Sequence, residues 1–472
     1  MTAPRQFFAF ASRTLEHYPE PATRKRYLAL VVLITVALYY ALYVGGGVAP
    51  LFMRELHMSF TYLVTYYAIS NALGAFASLL AGAADRFGRS RLVVWGLLLV
   101  ALLTLVAQPG ATDKLTYAVL GIGVGFVEGV ILVATPALIR DFSPQVGRAT
   151  AMGMWAMGPV LGSLATSAVV STTLSVVPGS LFYGWRTQYR LCGMFCLAVW
   201  VLAFLFLREL KPALRDQIMV NERDRKLNER RATLIDERAA HRHPWRRVLR
   251  ADIFASALGV SLLLLVYYTT VAFGVIYLVE IFNFSPARAN ALLNWSWAVN
   301  VVSLLAGGLL SDWLRVRKPF MLVGGAGAAG LIWYFLGHEF AQPGFAAMAA
   351  VGSAISILLG VAYGAWMASF TETVEAHDPA LTATGLAVWG WLLRLVVTAS
   401  FVLLPRVVTP VTSPQRWQLW YLLCAGGALV FVAMIFTMKG RWSPARARAD
   451  EAAHDAAVAQ ALASLGEGHA AD

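Results

Sequence analysis

Twelve stretches of mostly apolar residues, each about as long as a helix that crosses a bilayer, recur along the chain. A spanning helix needs about 20 predominantly apolar residues, and inside hydrocarbon only helices or closed barrels satisfy their own backbone. The stretches run Tyr27–Phe52, Phe60–Ala83, Leu92–Gln108, Leu115–Ile139, Ala149–Thr172 and Gln188–Leu207, then Ile253–Val279, Ala287–Leu310, Phe320–Gly337, Phe345–Phe370, Ala380–Leu404 and Gln418–Thr437. A charged segment, Arg208–Arg250, separates the two sets. The pattern predicts an all-α membrane protein with two six-helix bundles at 27–207 and 251–438. Residues 1–26 precede them, 208–250 link them, and a polar, Ala-rich tail at 439–472 is expected to form a frayed helix.

Composition excludes a soluble fold. The chain is 58% hydrophobic and only 14% charged, against about 25% charged residues in a soluble domain. Its 15 Trp and 17 Tyr suit membrane interfaces. The net charge of +12 lies in short runs between apolar blocks and in the central segment, so no nucleic-acid partner is expected. Cys192, Cys196 and Cys424 sit inside apolar stretches with no neighbouring His, which points to free thiols and no metal. The first block is too long for a signal-peptide core and is expected to be retained.

Orientation follows from the Lys/Arg bias. One side receives Arg24–Arg26, Arg86, Arg89, Arg91, Arg140, Arg148, the central segment, Arg315, Arg317, Lys318, Lys439 and Arg441. The other receives one or two basic residues per loop. The basic side is therefore expected to be cytoplasmic, with both termini inside a multi-pass protein of the plasma (inner) membrane. The central segment mixes both charge signs at helical spacing and is expected to be a solvated helical tether.

Between the second and third blocks stands Ala81-Gly82-Ala83-Ala84-Asp85-Arg86-Phe87-Gly88-Arg89-Ser90-Arg91. A counterpart between the eighth and ninth reads Gly308-Leu309-Leu310-Ser311-Asp312-Trp313-Leu314-Arg315-Val316-Arg317-Lys318. This pair of loops resembles the signature of the major facilitator superfamily of secondary transporters. Ala81 departs from the usual Gly, and the second copy lacks the inner Gly. The fifth and eleventh blocks also align, with Thr150 five residues before Trp155 and Thr384 five before Trp389, as expected of repeats around a midplane site. The resemblance implies two pseudo-symmetric bundles, a central cavity lined by helices 1, 4, 7 and 10 with helix 11 at its border, and a cytoplasmic gate. In that gate, which also includes Asp85 and Asp312, Arg86 and Arg89 would meet Asp141, while Arg315 or Arg317 would meet Glu372 or Glu375.

Two ionisable residues fall near the middle of their helices, Glu128 in the fourth and Arg394 in the eleventh. Such residues cost about 2.5–3.5 kcal/mol on insertion scales and mark function by default. The planar guanidinium of Arg394 suits a carboxylate or phosphate. Trp391 and Thr398 lie three residues before and four after it, on one helical face. Glu128 is the candidate proton-coupling and substrate-binding carboxylate. A salt bridge between Glu128 and Arg394 remains the structural alternative. Tyr39, Tyr40 and Tyr43, with Tyr267 and Tyr268, are candidate cavity residues, and adjacent tyrosines are not expected both to face it. Asn71, Asn294 and Asn300 are expected to bond between helices.

These features favour a proton-coupled carrier of a small organic anion that acts as a monomer in the lipid bilayer, with no cofactor and no enzymatic activity. A proton-driven exporter of amphipathic drugs is the alternative. Gly158-Pro159-Val160-Leu161-Gly162 supports it, whereas Gly153 stands one place out of register and Ser163 occupies the position where a second Gly is usual. A non-transporting receptor or scaffold is a second alternative.

Overall fold

The computed structural model describes residues 13–80, 88–144, 147–174, 184–215, 217, 250–337, 344–377, 382–438 and 440–467. The first bundle comprises α1 (Pro21–Glu55), α2 (Phe60–Leu80), α3 (Arg89–Gly110), α4 (Lys114–Asp141), α5 (Arg148–Thr173) and α6 (Trp185–Phe206). The second comprises α7 (Ala251–Phe282, broken at Leu264), α8 (Pro286–Leu314), α9 (Lys318–Gly337), α10 (Phe345–Glu375), α11 (Thr382–Val408) and α12 (Pro414–Ile435). Among the described residues ten helices are long and apolar enough to cross a membrane. With 21 and 20 residues, α2 and α9 complete the twelve.

The helix starts follow local chemistry. Pro21, Pro286 and Pro414 open α1, α8 and α12, where the missing N–H costs nothing. Asp113 caps α4 by accepting from the Leu115 and Thr116 amides at 2.8 and 2.9 Å. The outer surface exposes large apolar side chains such as Trp95, Phe206, Val302, Trp313 and Trp333, as a lipid-facing wall requires. Polar groups instead turn inward.

The two bundles meet chiefly through α2 against α11 and α5 against α8. Exchanging the halves maps one of these contacts onto the other, which is the internal two-fold symmetry. Close approach is made by small residues: a Cβ on Gly153 of α5 would lie 2.6 Å from the Leu304 carbonyl of α8. Asn300 donates to the Ser356 carbonyl at 2.7 Å, and Asn294 to Ser171 Oγ at 3.4 Å, both between helices as expected. Asn71 differs, donating to the Tyr67 carbonyl of its own helix at 2.9 Å. The three cysteines are free and buried.

At the face where α1 begins, β1 (Thr14–Leu15) pairs in parallel with β2 (Glu209–Leu210). The tail forms α13 (Pro444–Glu467), held by pairs from Arg315 to Glu451 and from Arg441 to Asp450. Of the helical tether expected at 208–250, Glu209–Leu210 form β2 and Pro212–Arg215 a single helical turn; residues 216 and 218–249 lie outside the described residues, as do Asp85 and Arg86 of the gate motif.

Candidate functional site

A space of about 480 Å³ lies between the bundles, lined by Tyr39 and Leu42 of α1, Asn71 and Ser78 of α2, Leu132 and Val133 of α4, Trp155 of α5, Tyr268 of α7, and Trp389, Gly390, Leu393, Arg394 and Val397 of α11. Helices α2 and α5 thus contribute walls beside the expected α1, α4, α7 and bordering α11. The tenth helix enters through Tyr363, which lines an adjoining hollow with Tyr39, Tyr267 and Tyr268.

Arg394 is 9% exposed. A Cβ on Gly74 of α2 would lie 2.4 Å from its Nη1, so the guanidinium rests against bare backbone. Glu128 is fully buried, and neither carboxylate oxygen has a hydrogen-bond partner among the described residues. Among those residues no salt bridge joins Glu128 to Arg394. Arg394 lines the cavity, whereas Glu128 is not among its lining residues and sits in the packed interior on α4.

The aromatic expectations divide. Tyr39 and Tyr43 pack with tilted rings, centroids 5.3 Å apart, and both line the central spaces. Tyr40 packs on Phe195 of α6 at 6.1 Å and belongs to the interior of its own bundle, which removes it from the cavity. Tyr267 and Tyr268, however, both face the cavity. Their rings stand perpendicular, 89° apart at 5.3 Å, so neighbouring side chains splay around one hollow.

Trp391 is a correction. The stripe of α11 that faces the cavity is Gly390, Leu393, Arg394 and Val397. At about 100° per residue Trp391 lies off that stripe, is half-buried and packs among apolar neighbours. Trp389 stands in the cavity wall instead, its Nε1 buried without a partner among the described residues. It meets Trp155, its symmetry equivalent, edge to face at 6.2 Å. Thr398 spends its hydroxyl on the Arg394 carbonyl at 2.7 Å and offers nothing to the cavity.

On the basic face the bundles are tied by ions. Within the first bundle Arg89 binds Asp141 at 2.5 Å. Between the bundles Glu375, the last residue of α10, receives Arg140 Nε at 2.6 Å and also Arg148. Asp312 accepts from the amide and hydroxyl of Thr150 at 2.7 and 2.6 Å, a carboxylate capping the start of α5 from the other bundle. Arg317 joins Asp312 at 2.8 Å to Glu372 at 3.0 Å. Arg315 does not take part: it ends α8 in a left-handed conformation (φ 59°) that turns it to Glu451. Glu209 supplies a further link, accepting from the Arg89 amide at 2.7 Å and Ser90 Oγ at 2.9 Å.

On the opposite face the contact is aromatic. Phe60 and Tyr67 of α2 meet Phe273 of α7 at 5.7 and 6.1 Å, and Phe273 packs on Phe401 at 5.0 Å. The bundles thus touch on both sides of the cavity.

Two symmetric six-helix bundles, closed around a largely apolar cavity that holds a buried arginine, within a lipid-facing shell, define a membrane transporter. The chain belongs to the Major Facilitator Superfamily, whose family model matches residues 31–396. Multidrug resistance protein 2 of Bacillus subtilis (strain 168) is 26% identical over 306 residues, 62% of this chain and 69% of that protein. The fold is similar to the proton:xylose symporter XylE, with TM-score 0.68 and 14% identity over 88% of this chain and 96% of that one. It is also similar to a bacterial homologue of the human lysosomal transporter Spinster, with TM-score 0.59 and 15% identity over 89% and 97% of the two chains.

Proposed function

We propose that the chain is a secondary active transporter that moves a small organic anion by alternating access, coupled to protons. The observation that carries this reading is Arg394, a guanidinium nine-tenths buried in the cavity wall with no ion pair among the described residues. A charge near the bilayer centre is costly, and a substrate carboxylate would neutralise it while the fork of Arg394 fixes its orientation. Tyr39, Tyr268 and Trp389 would hold the organic part, each offering an apolar face and one polar handle. Glu128, buried without a hydrogen bond among the described residues, is the group assigned to proton exchange. The Lys/Arg bias supports a cytoplasmic basic face, so the ion pairs of Glu375, Asp141 and Asp312 form the inner gate.

The likeness to Multidrug resistance protein 2 and the aromatic lining favour a second reading, export of amphipathic drugs. Thermal stabilisation of the purified protein by carboxylates, phosphates, sugars and cationic drugs separates the two. Stabilisation confined to carboxylates is expected; stabilisation confined to cationic drugs overturns the anion reading.

A further inference from the structure

Beyond Arg394, on the side away from the ionic latch, a second space of about 700 Å³ reaches into the first bundle between α1, α2, α4 and α6. It shares Leu42, Asn71, Tyr268 and Val397 with the Arg394 cavity, so the two adjoin. No charged residue lines it among the described residues, yet Tyr66, Tyr67, Ser70, Asn71, Gln108 and Tyr189 do. Glycine makes the room. A Cβ on Gly45 would meet the hydroxyls of Tyr189, Tyr67 and Tyr117 at 2.9, 3.2 and 3.4 Å, and one on Gly121 would meet that of Tyr66 at 1.9 Å. Several hydroxyls therefore converge on a neutral spot inside the membrane.

The third helix is deformed where it reaches this spot. It changes from α to π geometry at Leu103–Ala107 and to a tighter 3-10 turn at Gln108–Gly110, and π segments concentrate at functional sites. The side chain so delivered, Gln108, is 3% exposed and lines the space. Its Oε1 has no hydrogen-bond partner among the described residues. A buried amide left unsatisfied is costly, and a ligand that bonds to it recovers that cost.

We propose that this space is a second, neutral subsite in which Gln108 and Tyr189 bind a hydroxyl or amide group of the transported molecule. Where Arg394 holds a carboxylate, as in the function proposed above, the substrate is an organic acid with a hydroxyl or amide remote from its acidic end. A hydroxyl suits the pair because it donates to Gln108 Oε1 while accepting from Tyr189, whose proton is left for it when Tyr117 donates in the 2.5 Å bond between the two tyrosine hydroxyls. Plain aliphatic acids would leave Gln108 unsatisfied and bind less well, as sites built for a hydrogen bond discriminate against analogues that lack it.

The test measures binding to the purified full chain with three matched pairs: ω-hydroxyhexanoate against hexanoate, hexanediol against hexanol, and ω-hydroxyhexyltrimethylammonium against its parent. The hydroxylated acid should bind about tenfold more tightly than hexanoate. Gln108→Leu, which removes an unsatisfied amide from the interior and so preserves the fold, should bring the pair within about twofold without weakening hexanoate. Tyr189→Phe should act in the same direction. Arg394→Lys should weaken both acids alike and leave their ratio unchanged. If the anion reading fails, the Gln108-dependent preference appears in the neutral or cationic pair instead, and the subsite stands. A preference that survives Gln108→Leu, or no preference in any pair, overturns the subsite.

Discussion

The guanidinium of Arg394 lies where a side chain on Gly74 would be, with Nη1 2.4 Å and Cζ 3.0 Å from the position of a Cβ there. Only a glycine on α2 lets the α11 arginine reach this place. Gly74→Ala should therefore displace the guanidinium and weaken anion binding about tenfold, roughly 1–2 kcal/mol, the worth of a charge-assisted hydrogen bond. Gly123→Ala, at a position with nothing within 4 Å of the added carbon, serves as the control and should leave affinity unchanged. Titration calorimetry on both variants checks this; equal affinities for the two would contradict it.

The latch makes a separate prediction. Glu375→Gln leaves Arg140 and Arg148 buried without their shared carboxylate, and breaking a buried pair in this way costs about 3–5 kcal/mol. The state closed on the basic face should lose population, while substrate affinity changes little. Spin labels at the ends of α4 and α10 should report longer distances in the variant. An unchanged distance distribution would show that the ions do not hold the gate.

The neighbouring arginines 315 and 317 should differ. Arg317 joins Asp312 to Glu372, so Arg317→Ala should slow transport several-fold. Arg315→Ala removes only a half-exposed contact with Glu451 of the tail and should change the rate less than about twofold, since exposed pairs contribute about 0–1 kcal/mol. Uptake in proteoliposomes distinguishes them, and equal defects would refute the assignment.

How far the sequence reaches is visible in these same residues. The spans were legible because hydrocarbon demands long apolar runs, although α1 begins at Pro21, ahead of Tyr27: helix continues through Arg24–Arg26 where the membrane does not. Arg89 and Asp141 were legible as a motif. Glu375 with Arg140 and Arg148 was harder to find, since a pairing across the two bundles looks in the sequence like unrelated charges at loop ends. Their positions at the termini of α10, α4 and α5 were the usable signal. Trp391 shares a helical face with Arg394 in the sequence, but the other bundle decides which stripe of α11 is a wall, and that stripe carries Trp389. Gly74 gave no sign at all, because its importance lies in what another helix places against it.

The proposed function assigns proton coupling to Glu128. Glu128→Gln retains shape and hydrogen-bonding capacity but cannot ionise. The variant should keep substrate exchange near the wild-type rate and lose accumulation driven by a pH gradient. Full pH-driven accumulation would remove Glu128 from the mechanism.

The central claim, that Arg394 binds an anionic group directly, is tested most sharply by carboxylate affinity in wild type, Arg394→Lys and the double variant Arg394→Ala with Glu128→Ala. Lysine keeps the charge but loses the planar fork, so affinity should fall by about 1–3 kcal/mol, roughly 5- to 150-fold, and the double variant should not recover it. Near-normal affinity in Arg394→Lys, together with rescue in the double variant, would mean that Arg394 serves only to balance Glu128, and would contradict the account.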